Sequence, residues 1–493
     1  MLTVATTGGD LSSGEEAPAS PAARLFNVPG LKCYIIAVMG CKTRIDPGVV
    51  IEGLKHTLIK HPRFSSILVG EKNNKRRLRW IKTKVKVEDH VIVPDINPEM
   101  ESPEKFIEDY TSNLTKDPMD FSKPLWELHL LNVKTSDADA VGIFKIHHSV
   151  GDGMSLISLL LACTRKTSDP DSLPTVPEQR KQSTNSSWKR FWWVFMAIWS
   201  GLVVMVNSVV DILVFAATMS FLKDTKNPLK GDGGDNSVRV FIYRTISLDD
   251  IKLVKNFMNV TVNDVILGVT QAGLSKYIYR KYGENKRGDK MTEIPKRMRV
   301  RAAVMANIRE VPGIQVLANM MAKGSKAIWG NCIGYILIPF TIALQKDPLD
   351  YIRTAKSIVD RKKLSCEAIL SFQTAKLILK LFGSKVAAGM TKRIVSNTTM
   401  TFSNIVGPLE EISFYGHPIA YLAPSVYGHP HALTLHFQSY INKMTFSVAV
   451  DPDVIPDPHQ LCNDLEEALK IIKIAASEKS LIQPPLCQSV LYY

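Results

Sequence analysis

What this chain lacks narrows it before any motif is read. Its seven cysteines (Cys33, Cys41, Cys163, Cys332, Cys366, Cys462, Cys487) contain no CxxC pair and no zinc-ligand spacing. An odd, scattered set argues against a disulfide scaffold and for reduced thiols. The opening residues, MLTVATTGGDLSSGEEAPAS, have no basic stretch followed by an apolar one, so a signal peptide is not expected there. Small and polar, residues 1–19 read as a disordered tail. Neither a nucleic-acid motif nor a short-period repeat is found.

Acid is also in short supply. Asp and Glu number 47 against 61 Lys and Arg, which leaves a net charge of +14. Such a surplus suits nucleic acid, an anionic membrane surface or a phosphorylated ligand. Without a nucleic-acid motif, the last two remain. The densest basic run, KNNKRRLRWIKTKVKV at 72–87, alternates in its second half and reads as a solvated edge strand.

What is present is an ordinary globular balance, 45% apolar and 22% charged, over a length that suits more than one domain. Apolar strands and amphipathic helices alternate from Ser20 to Cys163, giving a first half at 20–163. Residues 164–237 read as a linker. Its ends are rich in Pro, Ser, Gly and charge, but its middle, 191–222, is apolar. A second mixed half follows at 238–476, and 477–493 reads as a tail.

The middle of the linker, FWWVFMAIWSGLVVMVNSVV from Phe191, holds twenty uncharged residues, the usual length of a membrane-crossing helix. Lys189 and Arg190 flank one end, Lys223 and Lys226 the other, and Trp192 and Trp193 sit where an interfacial belt would. A single crossing would put the two halves on opposite sides of a bilayer. Two crossings require about 40 residues, and 191–222 supplies 32, interrupted by Asp211. A re-entrant or surface-lying hairpin is therefore expected.

One stretch carries chemistry: KIHHSVGDGMSL at 145–156. If VGIFKIHH is a strand, His147 and His148 point to opposite faces, so the pair cannot easily grip one metal. His148 shares the apolar face of Phe144 and Ile146, and His147 the face of Lys145. A buried, neutral His148 would suit a general base near neutral pH. Gly151 and Gly153 permit a tight turn. Asp152 has two structural readings, as a helix cap or as a brace through a charge pair elsewhere. Taken alone, the pattern is better read as an ordinary strand-to-helix turn.

Other candidates have the same duality. Asn263 and Asp264 open a strong helix pattern, so Asn263 either caps it or presents its amide to substrate. Ser403 and Asn404 precede a Gly407-Pro408 turn. Trp126 reads as core, and His429 and His431, with Pro430 between them, read as a loop pair rather than a metal site.

Residues 147–153, HHSVGDG, resemble the HHxxxDG motif of acyl-CoA-dependent O-acyltransferases. More narrowly, the chain resembles the plant-type bifunctional wax ester synthase/diacylglycerol acyltransferases. SPAARLF (20–26), PLWELHLL (124–131), TVNDVILG (261–268), RAAVMANIR (301–309) and TFSNIVGP (401–408) follow that family's order over nearly the whole chain. The resemblance implies an α/β fold of two chloramphenicol-acetyltransferase-like domains, mixed sheets with flanking helices, and a substrate tunnel between them. It implies His148 as proton acceptor, His147 as its support and Asp152 as a structural brace. Asn263, Asp264, Ser403 and Asn404 would lie at substrate. Acyl-CoA would be a co-substrate, with no resident cofactor and no metal. The acceptor would be a long-chain alcohol or a diacylglycerol. The endoplasmic reticulum membrane, with both halves facing the cytosol, is the expected location, and the plasma membrane the second choice. Two other readings stand beside this one: a soluble acyltransferase with a polar or phenolic acceptor, and a non-catalytic lipid-binding protein on the same fold. The apolar linker segment argues against the first and the intact histidine pair against the second.

Overall fold

The strand that ends in the histidine pair, Ala140–His147, lies inside a seven-stranded sheet. The computed structural model to which it belongs describes residues 16–71, 74–97, 100–175, 190–232, 238–287, 295, 297–309 and 329–482. This strand pairs antiparallel with Tyr34–Cys41 on one side and Trp126–Leu131 on the other. Val141, Ile143, Leu128 and Leu130 are fully buried, as a short, continuous apolar run predicts for a strand covered on both faces. Trp126 is fully buried too, and its indole N–H donates to the Phe64 carbonyl at 3.0 Å.

Beyond Tyr34–Cys41 the sheet is completed by His417–Tyr427 and Ile412–Phe414 from the second half, then by Thr164–Lys166. Division along the chain at 163 and 238 therefore does not coincide with division by sheets. The crossover staples the halves through backbone hydrogen bonds. A second sheet runs in the order Ile333–Phe340, Val300–Asn307, Met400–Ile405, Leu433–Tyr440, Lys443–Val450, Val240–Ser247. Helices Leu248–Met258, Val262–Arg287, Leu349–Lys363 and Pro458–Ile482 cover one of its faces.

Three expectations are corrected at the edges. Residues 1–15 lie outside the described residues, but Glu16–Pro18 is a strand, not tail. It pairs with Asn74–Lys82, which also pairs with Ser66–Glu71. The basic strand is thus the middle of a three-stranded sheet, not an edge, and Trp80 is buried beneath it. At the other end, residues 477–482 continue the last helix.

The apolar linker segment is not a hairpin. It forms one continuous helix, Arg190–Ser220, of 31 residues, about 46 Å long. Asp211, read from sequence as an interruption, anchors it. Its carboxylate meets Lys362 at 2.9 Å and Arg361 at 2.7 Å. Lys362 in turn meets Glu367 at 2.6 Å. Ser208 accepts from the Cys366 backbone N–H at 2.9 Å, and Asn207 donates to the Leu364 carbonyl at 3.1 Å. The Thr218 hydroxyl accepts from Arg301. Asn207, Ser208, Asp211 and Thr218 of this helix face the protein, while Met205, Val206, Val209, Ile212 and Leu213 face outward. Its polarity is inverted relative to a helix on a water-facing surface. Residues 196–202 are exposed all round. The side chains of Trp192 and Trp193 lie outside the described residues.

Beside it runs Glu367–Asn397, broken at Gly383, whose φ of 81° only glycine adopts readily. Leu377, Leu381, Phe382 and Val386 of this helix are also more than two-fifths exposed.

Candidate active site

At the end of Ala140–His147 the backbone leaves the ladder after His147, and the His148 N–H donates to the Cys33 carbonyl at 2.9 Å. Both imidazoles are buried, His147 completely and His148 to within 4%. Their surroundings set opposite tautomers. Ser149 donates its backbone N–H to His147 Nδ1 at 3.3 Å, with its hydroxyl 2.7 Å away, so the His147 proton sits on Nε2. The ring is packed edge-on against Tyr34 and Phe121.

His148 is held differently. The Asn331 amide nitrogen donates to the His148 carbonyl at 2.9 Å, which turns the amide oxygen toward the ring, 3.0 Å from Nδ1. Nδ1 therefore carries the proton and Nε2 keeps its lone pair. The Phe26 ring lies 4.5 Å from the imidazole, centre to centre. Burial lowers the pKa of His148, opposed by Asp152 and Asn331. It pushes His147 further down, to about 3. Both rings are neutral at physiological pH.

Asp152 does two things at once. One oxygen caps helix Gly153–Ala162 by accepting the Ser155 N–H at 2.9 Å. The other accepts the Cys332 N–H at 3.0 Å and meets Arg309 at 2.9 Å in a buried ion pair. Arg309 also donates to Ser155 and to the Gly330 carbonyl. Asp152 thereby ties the histidine turn to the segment, just before strand Ile333–Phe340, that holds Asn331. Gly151 and Gly153, expected to supply a tight turn, have no positive φ. Their missing Cβ atoms instead leave room for Trp329 and Ile405, which would lie 3.3 and 3.1 Å away.

On the Phe144 and Ile146 face of the strand lies an apolar cavity, lined also by Leu156, Leu160, Ile405 and Leu422. On the Lys145 face is a polar cavity. Lys145 is not solvated there; it is 2% exposed, donates to the Asp117 carbonyl at 2.9 Å and lies 3.7 Å from Glu127.

The four other candidates divide by strand parity. Ser403 pairs in register with His436 on the face turned away from the helices. Asn404 points the other way, where its amide donates to Asn263 at 2.6 Å. Asn263 is exposed and does not cap its helix. Thr261 does: Asp264 accepts from the Thr261 backbone and hydroxyl at 2.8 Å, while the Asp264 N–H donates to the Thr261 oxygen at 3.3 Å. This is a capping box. Asn263 and Asp264 thus fasten a helix start to strand Met400–Ile405, and no hydrogen bond among the described residues joins them to either histidine.

His429 and His431 are in a loop, as read, His431 buried and His429 half-buried, and they are bonded to Thr434, Thr398 and Thr401. Among the described residues, no group of three His, Cys, Asp or Glu is placed to hold a metal. Sequence reasoning missed Asn331 and gave Arg309 and His436 no role. Asp152 carried the one available signal, since a carboxylate in so apolar a turn demands a cationic partner.

Residues 44–266 match a family model described as the wax ester synthase/diacylglycerol acyltransferase catalytic domain, and residues 329–473 match the WS/DGAT C-terminal domain. Wax ester synthase/diacylglycerol acyltransferase 11 of Arabidopsis thaliana is 55% identical over 474 residues, 95% of this chain and 97% of that protein. Number 6 of the same series is 56% identical over 489 residues, 94% of each chain. Among solved structures, a wax ester synthase/diacylglycerol acyltransferase from Marinobacter aquaeolei VT8 superimposes with a TM-score of 0.56 at 16% identity, covering 94% of this chain and all of the other. The first condensation domain of the CDA synthetase gives 0.53 at 11%, over 93% and 94%. At such identities the two structures establish the shared fold alone.

Proposed function

The chain belongs to the wax ester synthase/diacylglycerol acyltransferase family, and on that footing we propose that it moves an acyl group from acyl-CoA to the hydroxyl of a long-chain alcohol or a diacylglycerol, with His148 as general base. The observation that carries this reading is the Asn331 contact, which commits the His148 proton to Nδ1 and leaves Nε2 free to accept another. The acceptor O–H gives its proton to Nε2 as its oxygen attacks the thioester carbon. The tetrahedral intermediate collapses, the C–S bond breaks, and the proton passes from His148 to the CoA sulfur. Only this one group need shuttle a proton, and no acyl-enzyme forms. The apolar cavity on the Phe144 and Ile146 face of the histidine strand supports a fatty chain there over a polar or phenolic substrate.

We further propose that the enzyme lies on a membrane without crossing it. The inverted polarity of Arg190–Ser220 supports lipid contact. A crossing by Arg190–Ser220 would set the segments before and after it on opposite sides of the bilayer, yet both contribute strands to one seven-stranded sheet. Lying flat keeps both halves on one side. Leu377, Leu381 and Phe382 of the adjoining helix extend the apolar surface, with Lys376, Lys380 and Lys385 beside them for anionic headgroups. The cytosolic face of the endoplasmic reticulum, where lipid acceptors would be at hand, is the proposed location, and the plasma membrane the second choice.

The test is product analysis with purified protein, acyl-CoA and, separately, a long-chain alcohol, a diacylglycerol and a phenolic alcohol. Esters of the first or second support the proposal. Ester of the phenolic alcohol alone would overturn it.

A further inference from the structure

The second sheet has two unlike faces. Toward the helices it presents Met400, Phe402, Leu435, Phe437, Phe446 and Val448, all in one apolar core. The other face is polar and yet buried. Thr401, Thr434, His436, Gln438, Thr445 and Ser447 are each no more than 5% exposed. This face looks toward the seven-stranded sheet, since the Tyr243 and Tyr421 hydroxyls meet there at 2.7 Å.

Buried polar groups are normally satisfied, and most of these are. Thr401 and Thr434 bond to His431 and His429, Thr445 lies 3.3 Å from Thr245, and Gln438 reaches the Ser439 carbonyl. His436 Nδ1 and Ser447 Oγ have no partner among the described residues, and neither does Ser425 Oγ on strand His417–Tyr427 of the seven-stranded sheet. His436 and Ser447 stand directly opposite one another in register, and Ser403 flanks His436 on its other side. Directly opposed residues share a face, so all three point to the interface between the halves. The histidine strand reaches the same region: one apolar cavity is lined both by Ile146, two residues before His148, and by Gln438, two residues after His436 on the same strand face.

A buried imidazole with an idle nitrogen, on a face that shares a cavity with the histidine strand, is a group waiting for a substrate atom. The acyl transfer proposed above creates one demand that His148 does not meet. As the acceptor oxygen attacks, negative charge gathers on the former thioester oxygen, and donors aimed at it supply the largest share of such catalysis. We propose that His436 is that donor: its ring N–H hydrogen-bonds the thioester oxygen and holds the oxyanion, with the Ser447 hydroxyl beside it. Burial suits the role, since it pushes the His436 pKa down to about 4. The ring stays neutral, keeps one N–H, and never competes with His148 for the travelling proton. A neutral imidazole is an effective electrophile for this reason.

The inference rests on acyl transfer at His148, so His148→Ala is run in parallel. With the full-length enzyme, acyl-CoA and a long-chain alcohol, His436→Ala should lower kcat by roughly 10²–10³-fold, with acyl-CoA affinity, read by direct binding, little changed. His436→Gln retains a side-chain N–H and should recover at least a tenth of the wild-type rate. A merely structural histidine would not give that split and rescue. Wild-type kcat in His436→Ala would overturn the proposal. So would equal losses in His436→Gln and His436→Ala with matching falls in melting temperature. An active His148→Ala would overturn the base assignment instead, a result distinct from either.

Discussion

Asn331 and His148 hold each other twice, amide nitrogen to carbonyl at 2.9 Å and amide oxygen to Nδ1 at 3.0 Å. The pair makes the imidazole a base at one chosen nitrogen, and it sets a pH dependence. His148 acts when neutral, so the rate should climb as pH rises through its pKa. Burial keeps that pKa below the ordinary 6.5, so the acid limb should lie below 6.5. Asn331→Asp would put a carboxylate against Nδ1–H and favour the protonated ring. The acid limb of kcat against pH should then move upward by about one unit or more. An unmoved limb in a folded, active Asn331→Asp enzyme would mean that Asn331 does not govern this ring.

Asp152→Ala should damage the fold more than loss of a helix cap alone, which costs about 0.5–2 kcal/mol. It also leaves Arg309 buried without its carboxylate and Cys332 without its acceptor. Breaking one side of a buried pair costs roughly 3–5 kcal/mol. Thermal unfolding should show a drop of several degrees. An unchanged melting temperature with activity gone would assign Asp152 to direct chemistry.

Stability should fall in mild acid. His61, His147 and His431 are pushed down to about 3 in the folded protein, and His436 to about 4, in each case chiefly by burial. The unfolded chain binds protons at these positions near pH 6.5, while the folded chain does not. Stability is therefore full above pH 6.5 and declines steadily as pH falls toward 4. The melting temperature measured from pH 7.5 to 4.5 should trace that decline, more shallowly in His436→Gln. A flat profile would show that these rings are not held neutral.

The bridge makes a topological prediction. Sealed microsomes carrying the enzyme with tags at Met1 and Tyr493 should lose both tags to external protease. Protection of one tag alone would mean a true crossing. Asp211→Ala should also loosen the helix from Lys362 and Glu367, exposing 190–220 to proteolysis in detergent.

How much of this was visible in the sequence depends on the distance over which each contact acts. The histidine pair, Asp152 and the helix start after Thr261 are local patterns. Even there the sequence leaves Asn263 open between cap and substrate contact, although Thr261 and Asp264 have the capping-box spacing. Asp211 was visible as a charge in an apolar run, but such a charge marks either a break or a buried anchor. Only Lys362, 151 positions away, decides between them. Asn331 reaches His148 from 183 positions away, on the segment just before Ile333–Phe340. No short-range periodicity encodes that meeting.

The central claim is that His148 removes the acceptor proton. Its most direct test is the initial rate of ester formation by purified His148→Ala, compared with His147→Ala, using acyl-CoA and a long-chain alcohol at matched folding. The His148 variant should fall by about 10²–10⁴-fold. His147 packs between Tyr34 and Phe121, so its variant should lose chiefly stability and keep most of its rate. Equal losses in both, or a His148→Ala rate within tenfold of wild type, would contradict the account.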